Sequence, residues 1–137
     1  MLIKISLTLC IIGIHLLFVG VSAQDNNVID PPKNKIEKGV ASYYGKKFQG
    51  KTMANGKKFD YNKLTGAHNR LPLGTFVKVS NLRNKKSVIV EITDRMHRNN
   101  KRLIDLSSEA ARQLGFLSRG LTKVKVEVVD KEEALEN

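Results

Sequence analysis

The stretch GTFVKVSNLRNKKSVIVEITD, residues 74–94, reads as two β-strands joined by a turn. Apolar residues recur at every second position in both halves, Val77 and Val79 in the first and Val88, Val90 and Ile92 in the second. This alternation is typical of strands that bury one face. The polar segment NLRNKK between the halves is rich in turn-forming residues, so the stretch predicts a β-hairpin.

Further strands are predicted on both sides of this hairpin. They cover residues 39–45, 102–107 and 121–130, and the last of them alternates valine with lysine or glutamate. One short helix interrupts the strands, with Ser107 or Ser108 as its cap and Gly115 at its end. Many short strands with one helix favour a mainly β fold closed into a barrel, because closure leaves no exposed strand edge.

The two ends of the chain differ in composition from this central domain. Residues 1–23 combine Lys4, an apolar core and small residues at the end, which predicts a signal peptide cleaved before Gln24. An uncleaved membrane anchor is the alternative, although the apolar run is short for a span. Cleavage predicts an exported protein without a stable membrane anchor. We expect a flexible leader over residues 24–37, the barrel domain over 38–130 and an acidic tail over 131–137.

The chain carries 24 Lys plus Arg against 13 Asp plus Glu, and its net charge of +11 favours an anionic partner. Nucleic acid is not expected, because the sequence shows neither a series of stacking aromatics nor a basic helix with base-reading spacing. The positive charge is then explained by a charged cell-wall polymer or a membrane surface as partner, or by solubility alone. The single cysteine, Cys10, lies in the predicted signal, so we expect no disulfide and no thiolate metal site.

Asp94 ends the hairpin and opens a basic segment. The cationic or titratable side chains that follow it are Arg95, His97, Arg98, Lys101 and Arg102. Two interpretations are open at this point. Asp94 is either a structural acceptor for backbone N–H groups, or the single acid of a site that handles a polar or anionic molecule.

Three segments together resemble the rare-lipoprotein-A family of septal-ring lytic transglycosylases. They are GVASYYGKKFQGKTMANGKKFD, LTGAHNRLPLGTFVKVSNLRNKKSVIVEITDR and RLIDLSSEAARQLG, and the resemblance runs from Gly39 to Val129. It implies a six-stranded double-psi β-barrel, a fold also seen in expansins. It further implies endolytic cleavage of peptidoglycan glycan strands, above all of strands stripped of stem peptides. We expect no cofactor and no metal.

The resemblance also implies which residues form the site. By position, the family's catalytic carboxylate falls on Asp94 and its active-site histidine on His68. The chain departs from the family at Lys57, where the segment MANGK replaces a frequent acid, and at Met96 and His97, where Gly-Pro is usual. The missing acid leaves two alternatives for Lys57, which either binds a substrate carboxylate or hydroxyl, or contributes nothing.

Two further residues are expected to bind substrate. Tyr44 can line a sugar groove, although core packing is an equal alternative, and Arg98 can hold an anionic glycan near Asp94. Asp105, in the segment IDLS, is assigned to structure at the turn into the helix.

One carboxylate suffices for the implied reaction. Hydrolysis of a glycosidic bond usually takes two carboxylates, one as acid and one as base or nucleophile. In lytic transglycosylation the same residue protonates the leaving oxygen and then takes a proton from the sugar's own 6-hydroxyl, which closes a 1,6-anhydro ring. The alternative is a non-catalytic, expansin-like module that binds glycan or loosens the wall, and the loss of an acid at Lys57 favours it.

Overall fold

The computed structural model describes residues 30–136, which form a closed barrel of six strands. The strands are β1 (Ile36–Tyr43), β2 (Thr65–Ala67), β3 (Phe76–Asn81), β4 (Ser87–Asp94), β5 (Ile104–Leu106) and β6 (Thr122–Val129). Their order around the barrel is β1-β5-β2-β4-β3-β6, and β6 pairs with β1 to close it. The prediction of a mainly β barrel is confirmed. The predicted signal peptide and the leader up to residue 29 lie outside the described residues.

The hairpin of β3 and β4 forms as the alternation predicts. The two strands are antiparallel, with Val77 opposite Val90 and Val79 opposite Val88. The buried core contains these valines together with Ile92, Ile104, Leu106, Leu114, Phe116, Val124 and Val126. Burying one side chain of this kind contributes about 1.5–3 kcal/mol. Since residues 30–136 contain no cysteine, this packing holds the barrel together without a disulfide.

β2 has no apolar alternation and was not predicted from the sequence pattern. It pairs in parallel with β4 and antiparallel with β5, so two neighbours define it. Gly66 packs tightly, because a Cβ atom there would lie 3.2 Å from Cδ1 of Ile104. The register with β4 shifts between Gly66 and Ala67, which sets Ala67 opposite Asp94. This shift brings the end of β2 to the end of β4.

Within the described part of the chain, two short helices accompany the barrel, one of which the sequence predicted. The predicted helix is α1 (Ser108–Gln113), and the hydroxyl of Ser107 accepts the N–H of Ala110 as its cap. The second is α2 (Lys131–Leu135) in the acidic tail, where two glutamates in the first turn complement the helix dipole. A single 3₁₀ turn covers Lys46–Phe48. Within residues 30–136, no helix has the length and apolar character needed to cross a membrane.

β1 begins two residues before the expected start of the domain. Ile36 and Glu37, which the sequence assigned to the leader, pair with Glu127 and Val126 of β6. Glu37 is therefore part of the barrel wall.

Candidate active site

Two carboxylates lie in one row across the barrel wall. In the strand register the row consists of Ser42 in β1, Asp105 in β5, Ala67 in β2 and Asp94 in β4. Neighbouring strands are about 4.8 Å apart, so the Cα atoms of Asp94 and Asp105, two strands apart, are separated by roughly 10 Å. Residues near the ends of four strands that are far apart in sequence are therefore neighbours in this row.

The Asp94 carboxylate is held by the main chain through one of its two oxygens. Oδ1 accepts the N–H of Ala54 at 2.9 Å and the N–H of Arg95 at 2.8 Å. Oδ2 has no hydrogen-bond partner among residues 30–136 and is not buried. One oxygen is thus fixed while the other faces solvent, which is the arrangement that proton exchange with a bound molecule requires.

The segment MANGK, residues 53–57, folds over the end of β4 and supplies the Ala54 N–H. The N–H of Asn55 donates to the carbonyl oxygen of Thr93 at 3.2 Å, which ties the segment to the strand. Lys57 is exposed, and its ammonium group makes no hydrogen bond or ion pair with the described residues. Lys57 therefore lies three residues after Ala54, whose N–H binds Asp94, and its positive charge has no partner among residues 30–136.

Asp105 is buried, and both of its oxygens are engaged within the protein. Oδ1 accepts the Ser42 hydroxyl at 2.5 Å and Nε of Arg102 at 2.7 Å. Oδ2 accepts Nη2 of Arg102 at 3.0 Å and Nδ2 of Asn100 at 3.3 Å. Hydrogen bonds to Asp105 raise the pKa of Arg102, as expected for a close ion pair. Of the two carboxylates in the row, Asp94 is the one with an oxygen available to a ligand.

Tyr44 lies near both carboxylates in an aromatic cluster. Its ring centroid is 5.2 Å from that of Phe48 and 5.5 Å from that of Phe59. Burial raises the pKa of the Tyr44 phenol, and the negative charges of Asp94 and Asp105 raise it further. The hydroxyl has no hydrogen-bond partner among residues 30–136. The Tyr44 hydroxyl is therefore neutral, has no partner among residues 30–136, and lies within electrostatic range of both Asp94 and Asp105.

The main chain of His68 is hydrogen-bonded to the main chain of Asp94, whereas the His68 ring is buried and bonded to other residues. The N–H of His68 donates to the carbonyl oxygen of Asp94 at 3.2 Å, and Arg95 Nη1 donates to the carbonyl oxygen of His68 at 2.6 Å. The ring is 1% exposed. Its Nδ1 accepts the N–H groups of Arg70 and Leu71 at 3.1 and 3.0 Å.

Because Nδ1 is an acceptor, the proton of the neutral ring is on Nε2, which donates to Oε2 of Glu37 at 3.2 Å. Burial lowers the pKa of His68 more than the Glu37 carboxylate raises it. Burial alone would raise the pKa of Glu37, but its ion pairs with Lys35 and Arg70 outweigh that effect and lower it. The His68 ring thus makes no hydrogen bond to the Asp94 carboxylate and is almost completely shielded from solvent.

This buried ring predicts a pH-dependent stability. A histidine whose pKa is lowered on folding binds fewer protons in the folded than in the unfolded chain, so stability falls as pH drops below about 6.5. The slope can reach about 1.4 kcal/mol per pH unit for one proton. In urea unfolding from pH 7.5 to 5, we expect His68→Asn to flatten this slope, because Asn Oδ1 can replace Nδ1 as acceptor but does not titrate. His97→Asn is the control, and equal slopes in both variants would contradict the assignment.

Arg98 lies on the exposed loop between β4 and β5. Its guanidinium makes no hydrogen bond or ion pair with residues 30–136, and the structure does not bring it into contact with Asp94. Near the start of this loop, the N–H of Met96 donates to Oδ1 of Asn69 at 2.8 Å. Like Lys57, Arg98 is exposed. Within the described chain, no group of His, Cys, Asp or Glu side chains could hold a metal ion.

Two contributors to the site had no signal in the sequence analysis. The Ala54 N–H binds Asp94 from 40 residues away, and a main-chain donor has no residue-type signature. Glu37 was assigned to the leader because the segment before it is polar and contains Pro31 and Pro32. The turn-forming Ala-Asn-Gly sequence was the one feature that could have indicated a loop folded onto another element.

Comparison with known proteins identifies relatives over the barrel. The chain is 50% identical over 95 residues to "Probable endolytic peptidoglycan transglycosylase RlpA" of Synechocystis sp., covering 69% of this chain and 30% of that protein. It is 49% identical over 92 residues to "Endolytic peptidoglycan transglycosylase RlpA" of Pseudomonas aeruginosa, covering 67% of this chain and 27% of that protein. The chain therefore spans about a third or less of the length of these relatives.

Solved structures share the double-psi barrel fold. The Streptomyces papain inhibitor superposes with a TM-score of 0.61 at 25% identity, over 74% of this chain and 100% of the inhibitor. An expansin from Clavibacter michiganensis superposes with a TM-score of 0.56 at 25% identity, over 71% of this chain and 52% of the expansin. The double-psi β-barrel implied by the sequence is confirmed.

The family model described as lytic transglycolase matches residues 36–126, from the first residue of β1 to the middle of β6. The match includes Asp94, the MANGK segment and both partners of the His68–Glu37 pair. Because it covers more than half of the chain, this protein belongs to the lytic transglycolase family.

Proposed function

We propose that this protein is an endolytic lytic transglycosylase that cleaves peptidoglycan glycan strands. The observation that carries the proposal is that Asp94 has a free oxygen whereas Ser42, Asn100 and Arg102 engage Asp105. Hydrolysis with two carboxylates would need the second one to be available. Transglycosylation needs one residue that first gives and then takes a proton. The names of the relatives support the same chemistry.

In this mechanism Asp94 acts twice on one substrate. Protonated Asp94 donates its proton to the glycosidic oxygen between N-acetylmuramic acid and N-acetylglucosamine, and the C1–O bond of the muramic acid breaks. The resulting carboxylate then takes the proton of the muramic acid 6-hydroxyl, whose oxygen bonds to C1. The products are a 1,6-anhydro end and a free 4-hydroxyl on N-acetylglucosamine, and Asp94 is protonated again. No water is consumed.

The exposed cations suggest which strands are preferred. In strands stripped of stem peptides, the lactyl group of each muramic acid ends in a free carboxylate. Lys57 follows Ala54 by three residues and Arg98 follows Asp94 by four, and each is exposed with no ion pair among residues 30–136, so each can pair with such a carboxylate. Naked strands are therefore the proposed substrate. Because this polymer lies outside the cytoplasm, the proposal places the protein in the periplasm or the cell wall.

The decisive test is to incubate the purified protein with naked glycan strands and identify the new chain ends by mass spectrometry. Anhydro-muramic ends support the proposal, and reducing ends would show a hydrolase instead. Strands that remain intact although the protein binds them would support the expansin-like alternative. Two observations favour that alternative, the superposition on an expansin and the lysine at position 57. Native sacculi with stem peptides should be cleaved more slowly than naked strands.

Lys57→Glu tests whether the lysine binds substrate. Since its ammonium group has no partner in the described chain, the substitution removes no folded-state contact. If Lys57 pairs with a lactyl carboxylate, the charge reversal should raise KM for naked strands about tenfold, the effect of losing one charge-assisted hydrogen bond. Lys63→Glu, an equal charge change on another exposed loop, is the control. A faster reaction in Lys57→Glu would mean instead that the missing acid limits the enzyme.

Tyr44→Phe tests the hydroxyl beside Asp94 while keeping the aromatic ring. The packing against Phe48 and Phe59 is retained, so the free energy of unfolding should change little. Loss of one hydrogen bond to the sugar is expected to lower kcat/KM about five- to tenfold. Tyr61→Phe changes another tyrosine of the same region and should have no such effect. Unchanged kinetics in Tyr44→Phe would assign Tyr44 to core packing, the alternative left open by the sequence.

A further inference from the structure

The barrel end opposite Asp94 carries a shallow hollow whose charged side chains are all positive. β4 begins at the turn that follows β3 and ends at Asp94, so this turn and the start of β6 lie at the far end of these strands. The hollow there has a volume of about 400 Å³. Its lining residues are Leu82, Arg83, Arg119, Leu121, Thr122 and Lys123. We call these six residues the far-end patch.

The cations of the far-end patch lack counter-charges. Arg83, Arg119 and Lys123 are exposed and form no ion pair with residues 30–136, and the segments 81–90 and 115–126 contain no acidic residue. Some basic side chains elsewhere do have a carboxylate partner, as in Lys35–Glu37 and Lys125–Glu127. Three cations around one hollow repel each other, so an anionic partner that covers it gains from all three.

An exposed leucine lies among these cations. Leu121 is 52% exposed and stands between Arg119 and Lys123 in the chain. The patch contains no aromatic side chain, whereas Tyr44, Phe48 and Phe59 cluster near Asp94. A glycan gains most from aromatic faces, on which sugar rings stack. An apolar side chain surrounded by Lys and Arg instead matches a phospholipid surface, which offers phosphates to the cations and an acyl boundary to the leucine.

We propose that the far-end patch docks this protein on the surface of an anionic phospholipid membrane. Arg83, Arg119 and Lys123 bind headgroup phosphates, and Leu121 inserts into the headgroup region. In this orientation Asp94, at the other end of β4, points away from the bilayer. If the proposed glycan cleavage is correct, the membrane-bound protein presents its active site to the wall polymer. Docking itself does not depend on that activity.

The experiment is co-sedimentation of the purified protein with vesicles, either of phosphatidylcholine alone or of phosphatidylcholine with about 30 mol% of the anionic lipid phosphatidylglycerol. We expect binding to the anionic vesicles at moderate salt and none to the neutral ones. One cation at an anionic surface contributes roughly fivefold to partitioning. Arg83→Glu combined with Lys123→Glu should therefore weaken binding at least about 25-fold. The control, Lys38→Glu with Lys63→Glu, makes the same charge change elsewhere and should lose much less.

A second variant reports insertion directly. The protein contains no tryptophan, so Leu121→Trp introduces a single fluorophore into the far-end patch. Its emission should shift to shorter wavelength with anionic vesicles and not with neutral ones.

Equal losses of vesicle binding in the two double variants, or a Leu121→Trp emission that does not shift, would overturn the proposal. Loss of binding to sacculi but not to vesicles in Arg83→Glu/Lys123→Glu would overturn it in favour of an anionic wall polymer. Anhydro-end formation on soluble strands should be unchanged in this double variant, so the outcome is separate from that of the proposed activity.

Discussion

Asp94→Asn is expected to reduce the formation of anhydro ends from naked glycan strands by about a hundred- to ten-thousand-fold. General acid–base catalysis typically contributes this much, and an amide cannot exchange a proton in this way. The amide oxygen can still accept the N–H groups of Ala54 and Arg95, so the end of β4 should keep its conformation. The melting temperature and binding to sacculi should therefore remain near the wild-type values. The measurement is the rate of anhydro-end formation under single-turnover conditions.

Arg98→Ala is the control for this variant, because Arg98 lies in the exposed basic loop that follows Asp94 and has no partner in the described chain. It should weaken substrate binding while leaving the turnover of bound strands largely intact. Two results would contradict the assignment of Asp94. One is an Asp94→Asn variant that still releases anhydro ends at a comparable rate. The other is a variant that unfolds, since Asp94 would then be the structural acceptor of backbone N–H groups.

The sequence predicted those parts of the fold that have a local pattern. The β3–β4 hairpin was predicted because valine alternation and a polar turn act within 21 residues. β2 was not, because Thr65–Ala67 is too short for a pattern and exists through pairing with β4 and β5. For the acidic end the sequence indicated a tail or a frayed helix without deciding between them, because it has too little apolar content to pack, and α2 indeed buries no side chain.

In the candidate site, too, local sequence features were predictable and contacts between distant segments were not. The position of Asp94 at the end of an alternating strand left a structural and a catalytic interpretation open, and the resemblance to the family implied the catalytic one. The structure shows that one oxygen of Asp94 binds main-chain N–H groups and that the other has no partner among residues 30–136. The orientation of the His68 ring was not predictable, because it depends on Glu37 in β1 and on the turn at Arg70 and Leu71. A residue's type and motif indicate that it belongs near a site. Whether its side chain faces the substrate is decided by contacts between segments that are distant in sequence.

Asp105→Ala is expected to lower the free energy of unfolding by about 2–3 kcal/mol. Removing one partner of a fully buried ion pair costs about 3–5 kcal/mol, because the other charge is left without compensation. The cost here should be smaller, since the Arg102 side chain is 40% exposed and water can solvate it, whereas Asp105 is 6% exposed. The Ser42 hydroxyl also loses its acceptor. Urea unfolding at pH 7 is the measurement.

Glu109→Ala provides the matched control, because Glu109 and Arg112 form the same kind of Arg–carboxylate pair at the same i,i+3 spacing. That pair lies on the surface of α1, so its loss should change stability little. Asp105→Asn separates the structural role from a catalytic one. If the carboxylate only fixes the loop from Asn100 to Arg102, this variant should unfold more easily than wild type but cleave strands at a rate far above that of Asp94→Asn. If both variants lose activity equally while folded, two carboxylates act together, and the mechanism with a single acid is wrong.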